Sequence, residues 1–276
     1  MTGIALVIGV LGLLIGSFLN VVVYRVPLGK SVISPPSACP GCGTEIRPYD
    51  NIPVVSWLLL RGKCRTCHEP ISIRYPLVEL GSGVLFFIVA LLALPSILDA
   101  PGPREAVAGA LALVAYLYLA AISVALALID LDVHKLPNAI VLPSYVVALV
   151  LFGAASVISG DFTPLLRAVV AMTASAIIYF LMVLVYPGGM GMGDVKLAGV
   201  LGIYLGWVGW GPVFVGALAA FVLGGVFGII LMLVGRATRK TGIPFGPWML
   251  VGAGLGIVFG STAFEGYLSV FGLAAA

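Results

Sequence analysis

The chain is short of charge. Of its 276 residues only 9% are Asp, Glu, Lys or Arg, against roughly 25% in soluble domains. So few charges cannot cover a water-exposed surface, which excludes an ordinary soluble globular protein. Basic runs are missing as well: none is longer than Arg239-Lys240, and the formal net charge is only +3. That excludes the broad cationic footprint a nucleic-acid partner requires. No period of 20–50 residues recurs, which excludes a solenoid or propeller. Cysteine is scarce, with four residues in the whole chain, and histidine scarcer, with two.

What is present is apolar. The chain is 61% hydrophobic with a mean hydropathy of +1.19, and it carries 36 glycines. Small residues let helix backbones approach in lipid, where no hydrophobic effect drives them together. A span needs roughly 20 apolar residues, and stretches of this kind fall at 3–23, 77–98, 106–129, 138–159, 164–186, 194–210, 212–234 and 246–264. The last division but one rests on Gly209-Trp210-Gly211-Pro212, a breaker cluster with an interface-seeking Trp. Trp207, Trp210 and Trp248 read as interface belt or core. The first stretch lacks a basic flank and exceeds the roughly 7–15 residues of a signal-peptide core, so it reads as a membrane helix. The expected fold is therefore all-α and integral to the membrane, with about eight transmembrane helices.

Lys and Arg are retained on the cytoplasmic side of membrane proteins. With the N-terminus outside, only Arg104 and Arg167 of the 14 basic residues fall outside. The inside set includes Arg25, Lys30, Arg47, Arg61, Lys63, Arg65, Arg74, Lys135, Lys196, Arg236, Arg239 and Lys240. Loops 24–76, 130–137, 187–193 and 235–245 are then cytoplasmic, and the first is the only sizeable soluble piece.

That loop holds every cysteine, as Cys39-Pro-Gly-Cys42 and Cys64-Arg-Thr-Cys67. The C-x2-C-x21-C-x2-C pattern lies one residue outside the usual zinc-ribbon spacing of about 15–20. Each CxxC turn points two thiolates at one tetrahedral ion, and two such turns close its shell. Disulfides or redox CxxC pairs are the alternative, disfavoured in a reducing cytosolic loop. Four thiolates leave no open position, so the zinc is expected to be structural. It supplies stability that a loop of this size cannot draw from a core. His68, next to Cys67, is a less favoured substitute ligand. The result is a small four-cysteine, zinc-ribbon-like cytoplasmic insertion.

Two acidic sites stand out at the same membrane face. Asp130 ends a helix and opens Asp130-Leu131-Asp132-Val133-His134-Lys135-Leu136-Pro137-Asn138, and Asp194 follows Gly189-Met190-Gly191-Met192-Gly193. The plain readings are an interfacial acid for Asp130 and a helix N-cap for Asp194. Acids at membrane depth are costly, however, and usually functional. Gly191 and Gly193 let a second backbone, such as an extended substrate, come close. Two carboxylates sharing one proton in a low-dielectric site form the pair an aspartic peptidase uses. Which would act as acid and which as base is not assignable, because such a pair titrates as a unit. Lys196 is a candidate for contact with substrate or a neighbouring acid, and His134 and Lys135 read as interfacial. A transporter would place its acids nearer the midplane, and a zinc-ribbon scaffold without chemistry leaves the two aspartates unexplained.

These residues carry a resemblance. Phe18-Leu-Asn-Val-Val-Val-Tyr-Arg-Val-Pro27, the paired CxxC knuckles, Asp50-Asn-Ile-Pro-Val-Val-Ser-Trp57 and Leu60-Arg-Gly-Lys-Cys64 resemble the type IV prepilin peptidases. So do Pro70-Ile-Ser-Ile-Arg-Tyr-Pro-Leu-Val-Glu-Leu80, Gly191-Met-Gly-Asp194 and Ile243-Pro-Phe-Gly-Pro247. The resemblance implies a catalytic pair at Asp130 and Asp194, with Asp132 as the alternative first acid. Asn138 stands where the family often has Asp. It further implies cytoplasmic-face cleavage of a basic leader from a prepilin or pseudopilin precursor, then methylation of the new N-terminus from S-adenosylmethionine. The expected division is a first transmembrane helix at 1–23, a zinc-binding module at 24–76 and a transmembrane peptidase core at 77–276.

Overall fold

A computed structural model describes residues 1–236, 238 and 241–272; Arg239 and Lys240 of the expected cytoplasmic set lie outside the described residues. Among those residues there are nine α-helices and no strand beyond isolated bridges. They are α1 (Thr2–Arg25), α2 (Val55–Leu59), α3 (Arg74–Leu98), α4 (Pro103–Val133), α5 (Asn138–Ser159), α6 (Thr163–Val185), α7 (Met192–Val208), α8 (Trp210–Leu233) and α9 (Gly246–Val270). Seven are long and apolar enough to cross a bilayer; α7, at 17 residues, falls just short of them. The eight expected spans thus correspond to eight long helices, and the all-α membrane fold is as read from the sequence.

The chain forms two compact units, Met1–Ala125 and Leu126–Ala276. In the first, α1 packs along α3. Gly12 and Gly16 make this possible: a Cβ on Gly16 would stand 2.7 Å from the Glu79 Cα, so the two backbones touch where a side chain would not fit. Ala5, Ala90, Leu94 and Leu113 form its buried core.

The second unit is organised around α7, buried from Val195 to Gly206 apart from the partly covered Lys196. A Cβ on Gly202 would lie 2.7 Å from the Ala171 carbonyl oxygen, and one on Gly206 2.9 Å from the Ala168 Cα, so α6 lies directly against α7. Both ends of α7 are tied down. Arg167 of α6 donates to the carbonyls of Gly206 (2.6 Å) and Trp207 (2.7 Å), satisfying acceptors left over at the helix C-terminus. At the other end the Tyr145 hydroxyl of α5 donates to the Lys196 carbonyl at 2.6 Å.

Two boundaries differ from expectation, and both matter to the site. The helix expected to stop at 129 runs on to Val133, because no breaker intervenes before His134, whose φ is +52°. Asp130 is therefore a helical residue one turn from the end, not the start of a loop. The helix expected to begin at Asp194 begins at Met192, with Gly191 as its N-cap residue.

Candidate active site and cysteine cluster

Asp130 is only 5% exposed, on the last turns of α4. A carboxylate there needs a donor, and it has one from far along the chain: the Gly246 backbone N–H donates to Asp130 Oδ2 at 3.0 Å. Gly246 is the first residue of α9, following Pro244-Phe245, so its N–H lacks an intrahelical acceptor and is free to serve the acid. The approach tolerates no side chain, since a Cβ on Gly246 would stand 2.7 Å from Asp130 Oδ2.

Asp194 is held in the same way. It is the third residue of α7, and its Oδ2 accepts from the Gly191 backbone N–H at 3.0 Å while the Asp194 N–H donates to the Gly191 carbonyl at 3.1 Å. It is thus the reciprocal partner of the N-cap residue rather than the cap itself. Each aspartate therefore has one oxygen fixed by a glycine N–H and the other left for other duty.

Asp194 lies within electrostatic reach of Asp130. Leu136, on the short connection after α4, lies between their supports: its Cβ would be 3.0 Å from a Cβ on Gly193, and its Cδ2 3.2 Å from one on Gly246. Asp132 is exposed, in contrast to Asp130 two residues earlier. Lys196 Nζ donates to Asn138 Oδ1 at 3.0 Å, linking the starts of α7 and α5. Two supporting residues escape a reading of the sequence alone. Gly246 stands within Ile243-Pro-Phe-Gly-Pro247 with nothing local to mark a role, and Tyr179 reads as one more residue of an apolar span. Tyr179 is buried and within electrostatic reach of Asp194. Its ring sits 5.5 Å from that of Phe221, which is 5.2 Å from Phe245, so an aromatic row runs from near one acid to the residue before Gly246.

In the first unit the four cysteines gather. None is in a disulfide, and their sulfurs all lie within 4.8 Å of one another, with Cys39 and Cys67 at 3.6 Å. Tetrahedral Zn–S bonds of ~2.3 Å imply sulfur separations of about 3.8 Å, so the cluster suits such an ion. Both knuckles are built alike. Gly43 N–H donates to the Cys39 carbonyl and His68 N–H to the Cys64 carbonyl, and both residues adopt a positive φ. His68 thus takes the place Gly43 has in the first knuckle and is outside the cluster. The Thr44 hydroxyl, and then its backbone N–H, pull the Cys42 thiol down to about 6, which favours the thiolate, the form that could ligate a metal, at neutral pH. Cys67 is pushed up to about 12: a Glu69 backbone bond opposes the rise, while loss of water and the sulfurs of Cys42, Cys39 and Cys64 produce it. Such crowding of sulfurs is relieved by a cation.

Comparison with known proteins gives the family. Residues 10–93 match the bacterial peptidase A24 N-terminal domain and residues 117–232 the type IV leader peptidase family. A prepilin leader peptidase/N-methyltransferase of Pseudomonas putida is 36% identical over 95% of this chain and 93% of its own length. The chain belongs to the type IV leader peptidase family. Relatives of the same name in Stutzerimonas stutzeri (35% identical, 94% of this chain, 92% of the relative) and Neisseria gonorrhoeae (36%, 88% and 86%) agree. No solved structure matches. The segment matching the type IV leader peptidase family contains Asp130 and Asp194, and the A24 N-terminal segment contains all four cysteines.

Proposed function

We propose that this inner-membrane peptidase cleaves the leader from prepilin-like precursors at the cytoplasmic membrane face, with Asp130 and Asp194 as its catalytic pair. The observation that supports this most strongly is the matched support of the two carboxylates, each with Oδ2 on a glycine N–H at 3.0 Å. The free oxygens then hold one proton between them. The ionised carboxylate takes a proton from water as the water oxygen attacks the scissile carbonyl. The protonated one donates to the carbonyl oxygen, and the proton is returned to the leaving amine as the C–N bond breaks. Gly191 and Gly193 admit the extended substrate backbone, and Lys196, held by Asn138, is at hand to contact it.

The cysteine cluster holds one zinc ion with a closed four-thiolate shell, whose work is to fold the 24–76 segment. The second activity in the relatives' name, methylation of the new N-terminus, draws its methyl group from S-adenosylmethionine. We assign it to this segment and its junction with α3. The orientation, N-terminus outside, follows the distribution of Lys and Arg. The test is reconstitution: the purified chain in proteoliposomes, given a membrane-anchored precursor, should release leader and mature product. Mass spectrometry should place the new N-terminus at the leader junction. An intact precursor with a folded, zinc-loaded chain would refute the proposal.

A further inference from the structure

The short helix α2 is built inside out. Ser56 is buried, and its hydroxyl accepts the Ile52 N–H and donates to the Tyr49 carbonyl. Trp57 is turned inward too: its Nε1 donates to the Ile71 carbonyl at 3.0 Å and its ring lies against Gly62. The outward face consists of Val55, Leu58 and Leu59, at i, i+3 and i+4, which are 48%, 61% and 78% exposed. A water-facing helix would show the opposite pattern.

Three features say what covers that face. The first is its level. The Val54 N–H at the head of α2 donates to Glu79 Oε2 at 2.7 Å. Glu79 lies five residues past Arg74, the first residue of α3, which at 1.5 Å per residue is about 7.5 Å inside the helix end. Interfacial helices sink their apolar face about 5–10 Å into the headgroup boundary. The second is strain. Val54 takes φ +63°, ψ −48°, a genuine outlier for a β-branched residue, and this strained turn stands at the start of α2, at the residue that Glu79 holds. The third is charge. The helix ends at once in Arg61 and Lys63, both exposed, and α3, to which it is tied through Glu79, likewise exposes Leu77, Leu80 and Val84.

We infer that α2 is a membrane-interface anchor: Val55, Leu58 and Leu59 enter the headgroup region of the leaflet at the N-terminal end of α3, and Arg61 and Lys63 meet anionic lipid phosphates. The anchor fixes the cysteine-bearing segment at the bilayer surface. This inference is independent of the assignment of the aspartates.

Leu59→Trp, at an exposed position, tests it in the full chain reconstituted in vesicles. Emission is read as the difference from the native chain. The inference predicts that phosphatidylcholine brominated near the headgroup end of its acyl chains quenches most of the added emission, and that aqueous iodide quenches little. Quenching by iodide and not by bromine puts the face in water and overturns the inference. Quenching by neither means protein covers it, and overturns it equally. Energy transfer from the introduced indole to acyl-labelled pyrene lipids reads the charge. Transfer should be stronger to pyrene-phosphatidylglycerol than to pyrene-phosphatidylcholine, and the preference should vanish when Arg61→Gln and Lys63→Gln are added. Equal transfer to both lipids with Arg61 and Lys63 in place overturns the anionic-lipid contact.

Discussion

The Gly246 N–H reaches across 116 positions of sequence to hold Asp130 Oδ2 at 3.0 Å. This bond joins the first turn of α9 to the last turns of α4 inside one compact unit, and it fixes which oxygen of the acid stays free.

Gly246→Ala is the smallest change that disturbs it. The new Cβ would meet Asp130 Oδ2 at 2.7 Å and Leu136 Cδ2 at 3.2 Å, so the carboxylate must move. Hydrogen bonds to charged groups are worth about 1.5–3 kcal/mol, so cleavage should fall roughly 10- to 100-fold, mainly in kcat, with the chain still folded. Leu136→Ala added to Gly246→Ala should not restore activity. If it does, the loss came from crowding against Leu136 and not from Asp130.

Gly193 faces Leu136 from the other side, with a Cβ there only 3.0 Å from the Leu136 Cβ. Gly193→Val should leave membrane insertion intact and cut cleavage severely, since a displacement of about 1 Å can cost about 100-fold. Full activity in a precursor-cleavage assay would make the glycine loop a mere linker.

Much of this was legible in the sequence, and the parts that were not share a cause. Lipid demands long apolar stretches, so the spans show themselves, and CxxC pairs have few uses, so the cysteine cluster does too. Asp130 was readable as an acid at membrane depth but misplaced as a loop residue, because nothing from Leu131 to Leu136 marks a helix end. Asp194 looked like an N-cap because Gly191, well before the expected start, has no side chain to signal its part. Gly246 and Tyr179 were silent for a different reason. Their importance lies in contacts between α9 and α4 and between α6 and α7, and no local pattern records a distant partner.

Purified protein should carry about one zinc per chain, measured by elemental analysis, as a closed four-thiolate shell requires. Cys39→Ser or Cys64→Ser should lose it, and amide exchange across 24–76 should rise sharply while the helices of the second unit stay protected. Zinc-free native protein with two disulfides would overturn the structural-zinc reading.

In the same segment Arg65 grips Asp50 with both Nε and Nη2, at 2.5–3.0 Å, and holds its carboxyl below the usual range. A depressed carboxylate stabilises the fold above its unfolded pKa of about 3.9, and that contribution is lost as pH falls through the lower folded value. Native protein and Asp50→Asn should therefore differ in amide protection across 47–66 at neutral pH. The gap should hold down to about pH 4 and close below it. A gap that widens on acidification would contradict the pairing.

The most direct measurement is cleavage of a membrane-anchored precursor by Asp130→Asn, Asp194→Asn and the double variant, with Asp132→Asn as control. Asparagine keeps the size and can still accept the glycine N–H bonds, but it cannot cycle a proton. Each single change should abolish cleavage, and the double should be little worse, because the pair acts as a unit. Asp132→Asn should retain substantial activity, and methylation of a pre-cleaved peptide should survive all three changes at the pair. Cleavage by both Asp130→Asn and Asp194→Asn would contradict the account, and a dead Asp132→Asn beside an active Asp130→Asn would move the first acid to Asp132.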